Sequence, residues 1–348
     1  MDSVADCLTD KRIAWIDNAK AFAIFFIVLG HQLTRGAVYD YLYTFHVLLF
    51  FFLSGLTFSA KKPIKQFLTE KFKGIMLPYY LFSIISIGIY TVYEMLKPSG
   101  EKISLVNCII GMLIGTRTNG LMKWNTPLWF LPCLFSLLVG AYLIRRYLLG
   151  NDNSIKSDIA VLFVSLAVVV TLNYFDFYPN APLGIIQAVN ASPVFTLGIL
   201  TMKLLRRGSL KMNNKAVSLI LGAALIAGGA LLGRLNSCPD FSLNRFGKLY
   251  IFLPAASCEI AGWCLLASLI KFKPLEYVGR NTKVILLTHK FVILFYSLLP
   301  IPRTKDNVIL GVVLSAVTIA LCLAFGWVAE KIYPPIIGKP ARKKALTE

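Results

Sequence analysis

The residues best placed to do chemistry are three ionisable side chains in one apolar stretch, residues 13–31 (IAWIDNAKAFAIFFIVLGH). They are Asp17, Lys20 and His31. The stretch is long enough to cross a bilayer as a helix, because roughly 20 residues at about 1.5 Å each span a hydrocarbon core of about 30 Å. Ionisable groups are costly in such a helix, so they usually face a protein interior or a wet cavity and indicate a pathway or a site.

The spacing of these three residues places them on one face of the helix. Lys20 and His31 are eleven positions apart, close to three turns, which separates them by roughly 16 Å along one side. Asp17 precedes Lys20 by three positions, so it joins that face and can form an ion pair with the lysine. We therefore predict a polar stripe running from one membrane surface towards the other. A hydrogen-bonded interfacial histidine is the alternative interpretation of His31.

The rest of the chain predicts the membrane bundle that would hold this helix. Of its 348 residues, 57% are hydrophobic and 15% are charged, with a mean hydropathy of +0.68, which is not the composition of a soluble protein. We predict an all-α fold, a polytopic integral membrane bundle of about ten helices. The predicted spans are about 13–31, 42–58, 78–94, 128–147, 158–175, 183–204, 216–233, 249–270, 283–300 and 308–332.

The remaining segments are predicted to add little to this single transmembrane domain, which we expect to cover residues 1–348. The apolar segment 103–115 is short for a span and is expected to be interfacial or re-entrant. We expect short tails and find no pattern of a cleaved signal peptide, an internal repeat or a soluble domain. The seven cysteines are scattered without the spacing of metal ligands, so we expect no metal site.

We interpret the net charge of +19 as the result of basic cytoplasmic loops in a membrane protein, and we expect no binding to nucleic acid. Ten helices place both termini on one side. The termini and loops of that side hold 24 Lys and Arg residues, against 10 in the opposite loops. This excess predicts cytoplasmic termini in a multi-pass protein of the plasma membrane, with loop 61–73 inside and loop 32–41 outside. His31 then lies near the outer end of its helix, and Lys20 lies about two turns in from the cytoplasm.

Three further polar residues fall inside predicted spans. His46 lies on the second span at the level of His31, where packing or hydrogen bonding is the alternative to a role with substrate. Glu259 and Lys290 lie at depths that agree within roughly 5 Å. Because a lone charge in a membrane is expensive, we predict an interhelical ion pair between them.

Several segments resemble the acyltransferase 3 superfamily, and its fucose 4-O-acetylase-like branch most closely. Residues 15–20 (WIDNAK) and 28–31 (VLGH) are similar to its first helix, in which ten residues separate a basic residue from a histidine. Here the basic residue is Lys20, where many members have arginine, so the charge is kept without the bidentate fork. The similarity covers almost the whole chain. Its other segments are 45–46 (FH), 51–55 (FFLSG), 128–131 (LWFL), 195–198 (FTLG), and 279–282 (GRNT) followed by His289.

The resemblance implies an enzyme that moves an acyl group, usually acetyl, from cytoplasmic acetyl-CoA or another acyl-CoA to a hydroxyl of a cell-surface or lipid-linked glycan. We interpret His31 as the general base, or as a transient acyl carrier. Lys20 would bind coenzyme A or stabilise developing negative charge, with Asp17 orienting it. The candidates for binding the coenzyme phosphates are Lys71, Lys73, Arg280 and Lys283. The candidates on the acceptor side are His46, Ser54 and Trp129.

Two other classes of protein fit the same residues. A proton-coupled secondary transporter of a small polar or glycan-related solute would also carry intramembrane Lys, Glu and His side chains, although transporters often show repeated halves. A structural subunit of the glycan-assembly machinery would not need His31. The partners expected on the main interpretation are the glycan acceptor and membrane lipid, with glycan-assembly proteins as a further possibility.

Overall fold

The computed structural model describes residues 13–97, 104–117, 120–150, 152–210, 214–299 and 307–339. These residues form thirteen α-helices and no β-strand, so the predicted all-α fold is confirmed. The predicted tails fall largely on residues 1–12 and 340–348, outside the described ranges. The helices are α1 (Ala14–Gln32), α2 (Ala37–Leu56), α3 (Ile64–Lys71), α4 (Leu77–Leu96), α5 (Leu105–Ile114), α6 (Phe130–Leu143), α7 (Ile155–Tyr174), α8 (Ile185–Arg206), α9 (Lys215–Gly233), α10 (Leu249–Leu269), α11 (Lys273–Arg280), α12 (Thr282–Leu298) and α13 (Val308–Ile332).

Nine helical segments of the described ranges are long and apolar enough to cross a membrane, which makes this a multi-pass membrane protein. The segment predicted as the ninth of ten spans is α12, which has 17 residues and so lies at about the lower limit for crossing. The short apolar segment forms α5, which has only ten residues. It ends at Gly115 with a φ of 69°, a left-handed conformation that glycine adopts without steric cost.

The lysine-rich segment predicted as a loop is helical instead. Helix α3 continues through a π turn, Phe72–Met76, directly into α4. The reason is an amphipathic pattern, because Phe67 is buried against Tyr142, with ring centroids 4.4 Å apart, while Lys65 is exposed. The second span also begins earlier than predicted, at Ala37.

Helix α1 lies at the centre of the bundle. It packs against α2, α10, α11, α12 and α13, and its apolar residues Ala19, Ala23, Ile24 and Val28 are fully buried. We call the end of the bundle where α1 begins the Lys20 end, and the end where α1 finishes the His31 end. The face of α1 between Lys20 and His31 is therefore covered by other helices, and it is polar only at its two ends, since Ile27 lies between them with Ile24 and Val28.

Two glycines let α2 and α8 pack with their backbones in contact. A Cβ on Gly55 would lie 2.0 Å from the carbonyl oxygen of Phe195, and one on Gly198 would lie 2.2 Å from that of Phe52. Neither position can hold a side chain, and small residues of this kind are common where membrane helices meet. The FFLSG and FTLG segments are thus two sides of one helix contact.

Candidate active site

The carboxylate of Asp17 organises the Lys20 end of the site. Asp17 is 2% exposed, and its oxygens lie 3.9 Å from Lys20 Nζ and 3.3 Å from Arg280 Nε. The predicted contact between Asp17 and Lys20 is confirmed. Arg280 also binds Glu276, at 2.9 Å, so two cations and two carboxylates form one network.

Close packing of α11 on α1 creates this network. A Cβ on Gly279 would lie 1.8 Å from the carbonyl oxygen of Asp17, so only glycine permits the approach. Asn18 donates hydrogen bonds to the carbonyl oxygens of Ala267 and Ile270 at the end of α10. The GRNT segment therefore places Arg280 beside Asp17 because its glycine has no side chain.

The other three basic candidates lie near the start of α4 and the start of α12. Lys283 donates to the carbonyl oxygen of Gly338 at 3.1 Å, and Lys71 and Lys339 lie close enough to Lys283 to interact with it electrostatically. Lys73 is exposed on the π turn between α3 and α4. Lys71 and Lys283 thus belong to one basic region, and their role in binding phosphates stays a prediction.

At the His31 end, three predicted site residues line one open cavity: His31, His46 and Trp129. Trp129 is only 7% exposed, so it is a wall of the cavity and not an anchor in the lipid interface. Ser54 does not line this cavity. Its hydroxyl donates to the carbonyl oxygen of Phe50 one turn earlier in α2, at 2.8 Å.

The hydrogen bonds of two histidines define their tautomers. His289 Nδ1 lies 2.8 Å from the carbonyl oxygen of Ile285, and His46 Nδ1 contacts that of Leu42. Because a carbonyl only accepts, each Nδ1 carries the proton and each Nε2 keeps a lone pair. The His289 ring lies 5.4 Å from the His31 ring, and its Nε2 is buried without a hydrogen-bond partner among the described residues.

Two loops that sequence analysis did not assign to the site complete the cavity. Arg117, which follows α5, donates to Asp240 Oδ2 at 3.1 Å and to Ser242 Oγ at 2.7 Å. The second loop is held in turn by Gln187 of α8, which donates to the carbonyl oxygen of Ser242 at 3.0 Å. The sequence feature that could have indicated this part of the site is Arg117, because it is one of the few basic residues outside the lysine-rich and arginine-rich loops.

The predicted ion pair between Glu259 and Lys290 is wrong. Glu259 accepts a hydrogen bond from Tyr41 at 2.7 Å, and Trp263 donates to the same tyrosine hydroxyl at 3.1 Å. Helix α10 packs against α1, α2 and α9, whereas α12 packs against α1, α4 and α13. The two residues were predicted to match in depth, but their helices have different neighbours around α1. Lys290 has no ion pair or hydrogen bond within the described part of the chain.

The fold and this site define a class of protein: a polytopic helical membrane protein whose central helix joins a cationic network at one end to a histidine-lined cavity at the other. A family model described as an acyltransferase domain, that of acyltransferase 3, matches residues 13–327. The chain therefore belongs to this family of acyltransferases, as its motifs predicted. No curated protein and no solved structure matches it.

Proposed function

We propose that this protein is a membrane-bound O-acyltransferase that moves an acetyl or other short acyl group from cytoplasmic acyl-CoA to a hydroxyl of a cell-surface or lipid-linked glycan. The observation that carries the proposal is the central helix α1, which holds Lys20 in an ion pair with Asp17 near one end and places His31 in a cavity at the other. A transfer across the membrane needs a donor site at one end of the bundle and an acceptor site at the other, and α1 contributes a residue to each. The motifs favour the fucose 4-O-acetylase-like branch.

In the proposed reaction, His31 takes the proton of the acceptor hydroxyl as the oxygen attacks the carbonyl carbon of the thioester. The tetrahedral intermediate then breaks its bond to sulfur, and the coenzyme leaves as a thiolate that receives the proton back from His31. His289 supports this cycle from its position 5.4 Å away, ring to ring, because its unpartnered Nε2 can accept a hydrogen bond from the imidazolium that forms.

The donor is proposed to enter at the Lys20 end, which we place at the cytoplasm. Lys20 contacts the arm of the coenzyme, and Asp17 orients the lysine through their ion pair. The phosphates bind the cations around the start of α12, where Lys71 and Lys283 lie together. The positive charge of this region attracts an anionic donor and speeds its encounter with the enzyme.

The acceptor is proposed to enter the cavity at the His31 end, which we place outside the plasma membrane. Trp129 offers a flat apolar surface of the kind on which sugar rings pack, and it lies parallel to Phe241 within 27°. His46 lines the same cavity. Its Nδ1 is bound to its own backbone, and its Nε2 keeps a lone pair that can accept a hydrogen bond. It is suited to orient a second hydroxyl of the sugar.

Purified protein supplied with acetyl-CoA and a glycan acceptor tests the proposal. We expect release of free coenzyme A that depends on the acceptor, together with an acetylated product detected by mass spectrometry. The matched control is His31→Ala, which should release no coenzyme A above background. A wild-type protein that neither hydrolyses nor transfers the acyl group under these conditions would overturn the proposal. Mass spectrometry of surface glycans with and without the gene product identifies the acyl group and the sugar together.

A second candidate function, proton-coupled transport, draws on one observation. Glu259 is fully buried, and one of its carboxyl oxygens has no partner in the described structure. Tyr41 and Trp263 beside it line an open cavity between α2, α9 and α10. Buried carboxyls of this kind bind protons in transporters. Proton-driven solute uptake by proteoliposomes that is lost in Glu259→Gln, with normal acyl transfer in that variant, would support this candidate.

A further inference from the structure

Lys290 is a cation of the His31 end that no carboxylate neutralises within the described residues. It lies one helical turn after Leu286, which lines the cavity, so the two side chains share one face of α12. His289, the preceding residue, has its ring 5.4 Å from that of His31. Lys290 is also close enough to His31 and Arg117 to interact with both electrostatically. Its ammonium group therefore belongs to the surroundings of the cavity.

The fixed charges around the cavity do not balance. Arg117 is compensated by Asp240, to which it is hydrogen-bonded at 3.1 Å. The other buried acids are elsewhere. Asp17 lies at the Lys20 end, Glu259 accepts a hydrogen bond from Tyr41 of α2, and Asp158 forms ion pairs with Arg145 and Lys203. One positive charge, that of Lys290, is left over. A partly buried ammonium without a counter-ion is costly to maintain, which favours a ligand that supplies the missing negative charge.

We propose that Lys290 binds an anionic group of the acceptor, so that the acylated glycan carries a carboxylate or a phosphate close to the reacting hydroxyl. This inference rests on the proposed function. The donor is a poor source of the anion, because its phosphates match the cations of the Lys20 end, roughly 16 Å or more away along α1. A lysine ammonium is a compact charge with three donors, and it suits either anion.

Binding measurements with the purified full-length protein test the inference. The probes are methyl glucuronide for the carboxylate, inorganic phosphate for the phosphate and methyl glucoside as the neutral sugar, with affinities measured by calorimetry. We expect Lys290→Met to weaken binding of at least one anion by roughly tenfold or more, the value of a lost hydrogen bond to a charged group. Lys290→Arg should keep most of the affinity, and the neutral sugar should bind wild type and Lys290→Met alike.

Lys248→Met is the matched control, because Lys248 is exposed in the loop before α10 and its loss changes net charge equally. It should bind both anions as the wild type does. Equal anion affinity of wild type and Lys290→Met, or no anion binding by the wild type, would overturn the inference. So would a lower kcat of Lys290→Met with neutral and charged acceptors alike, which assigns Lys290 to the transition state. In that last case acyl transfer still occurs and the proposed function stands, whereas a wild type without acyl transfer refutes that function itself.

Discussion

At the residue scale, the three histidines have different surroundings and should behave differently when replaced. His31→Ala removes the imidazole that shares the stripe with Lys20. We expect it to lower kcat by about 10²–10⁴-fold, the usual cost of losing a general base, while coenzyme A still binds at the distant Lys20 end. The measurement is steady-state transfer by purified variants, with coenzyme A affinity determined separately.

His46→Ala serves as the comparison, because His46 lines the same cavity but lies on α2 with Nδ1 bound to its own backbone. It should mainly raise the KM for the acceptor. Near-normal turnover by His31→Ala would contradict its assignment as the base, and His46 and His289 would become the candidates. A structural role in glycan assembly would instead require normal surface glycans in cells with His31→Ala and no acyl transfer by the purified wild type.

Replacing Lys20 should weaken binding of the acyl donor more than it slows the chemical step. Its side chain is 27% exposed and pairs with Asp17 at 3.9 Å, so it can turn towards an entering coenzyme. We expect Lys20→Ala to raise the KM for acetyl-CoA, with the defect shrinking at high donor concentration, and Lys20→Arg to keep most of the activity. A loss of kcat that saturating acetyl-CoA does not relieve would instead indicate stabilisation of the transition state.

At the element scale, the contact of α11 with α1 depends on the absence of one side chain. Gly279→Ala would place a methyl group 1.8 Å from the carbonyl oxygen of Asp17, so the helices must separate and Arg280 must withdraw. We expect a lower melting temperature and a higher KM for acetyl-CoA. Gly228→Ala in α9 is the matched control, since no atom lies within 4 Å of its new Cβ. Equal melting temperatures of the two variants would refute this account of the contact.

The arrangement of α10 and α12 around α1 predicts which substitutions are coupled. Glu259→Gln and Lys290→Met should change the melting temperature additively, because the residues have no contact and share no partner. Tyr41→Phe with Glu259→Gln is the positive control, since these side chains share a 2.7 Å hydrogen bond and should be non-additive. A coupling between Glu259 and Lys290 as large as that of the control would show that they interact after all.

At the scale of the whole molecule, the uneven distribution of Lys and Arg predicts which end of the bundle faces the cytoplasm. A cysteine at Lys65, exposed on α3, should react with an impermeant maleimide only after the cells are opened. A cysteine at Thr34, exposed between α1 and α2, should react in intact cells. Labelling of Lys65→Cys in intact cells would reverse the topology and with it the proposed direction of transfer.

Native Cys238 needs attention in that experiment, because it is exposed in the loop between α9 and α10. Although the residue is exposed as a whole, local desolvation of its sulfur, reinforced by Asp40, raises the pKa of Cys238 to about 12. At pH 7 to 8 almost none of it is thiolate, the reactive form, so we expect slow labelling. The variant Cys238→Ser provides the background for both introduced cysteines.

The local part of this architecture follows from the sequence. Three turns separate Lys20 from His31 in any α-helix, so their shared face was predictable from spacing alone, as was the contact of Lys20 with Asp17. Hydropathy likewise predicts the spans, because a helix satisfies its own backbone hydrogen bonds in lipid and its side chains must then be apolar. Residues 61–73 were predicted to be a loop because they are rich in lysine. The prediction overlooked the short apolar face around Phe67 that makes α3 an amphipathic helix.

The arrangement of neighbours was decided by tertiary structure. The depth of a residue in a membrane can be counted from a helix end, which is why Glu259 and Lys290 looked like partners. Which helices lie beside each other depends on contacts distant in sequence, such as Gly55 with Phe195 and Gly279 with Asp17. Arg117 and Asp240 meet 123 positions apart, and no local pattern encodes that meeting. The positions of Asp17, Lys20 and His31 on one face of α1 can thus be predicted from their spacing, whereas the cavity around His31 exists only once the helices and loops have packed.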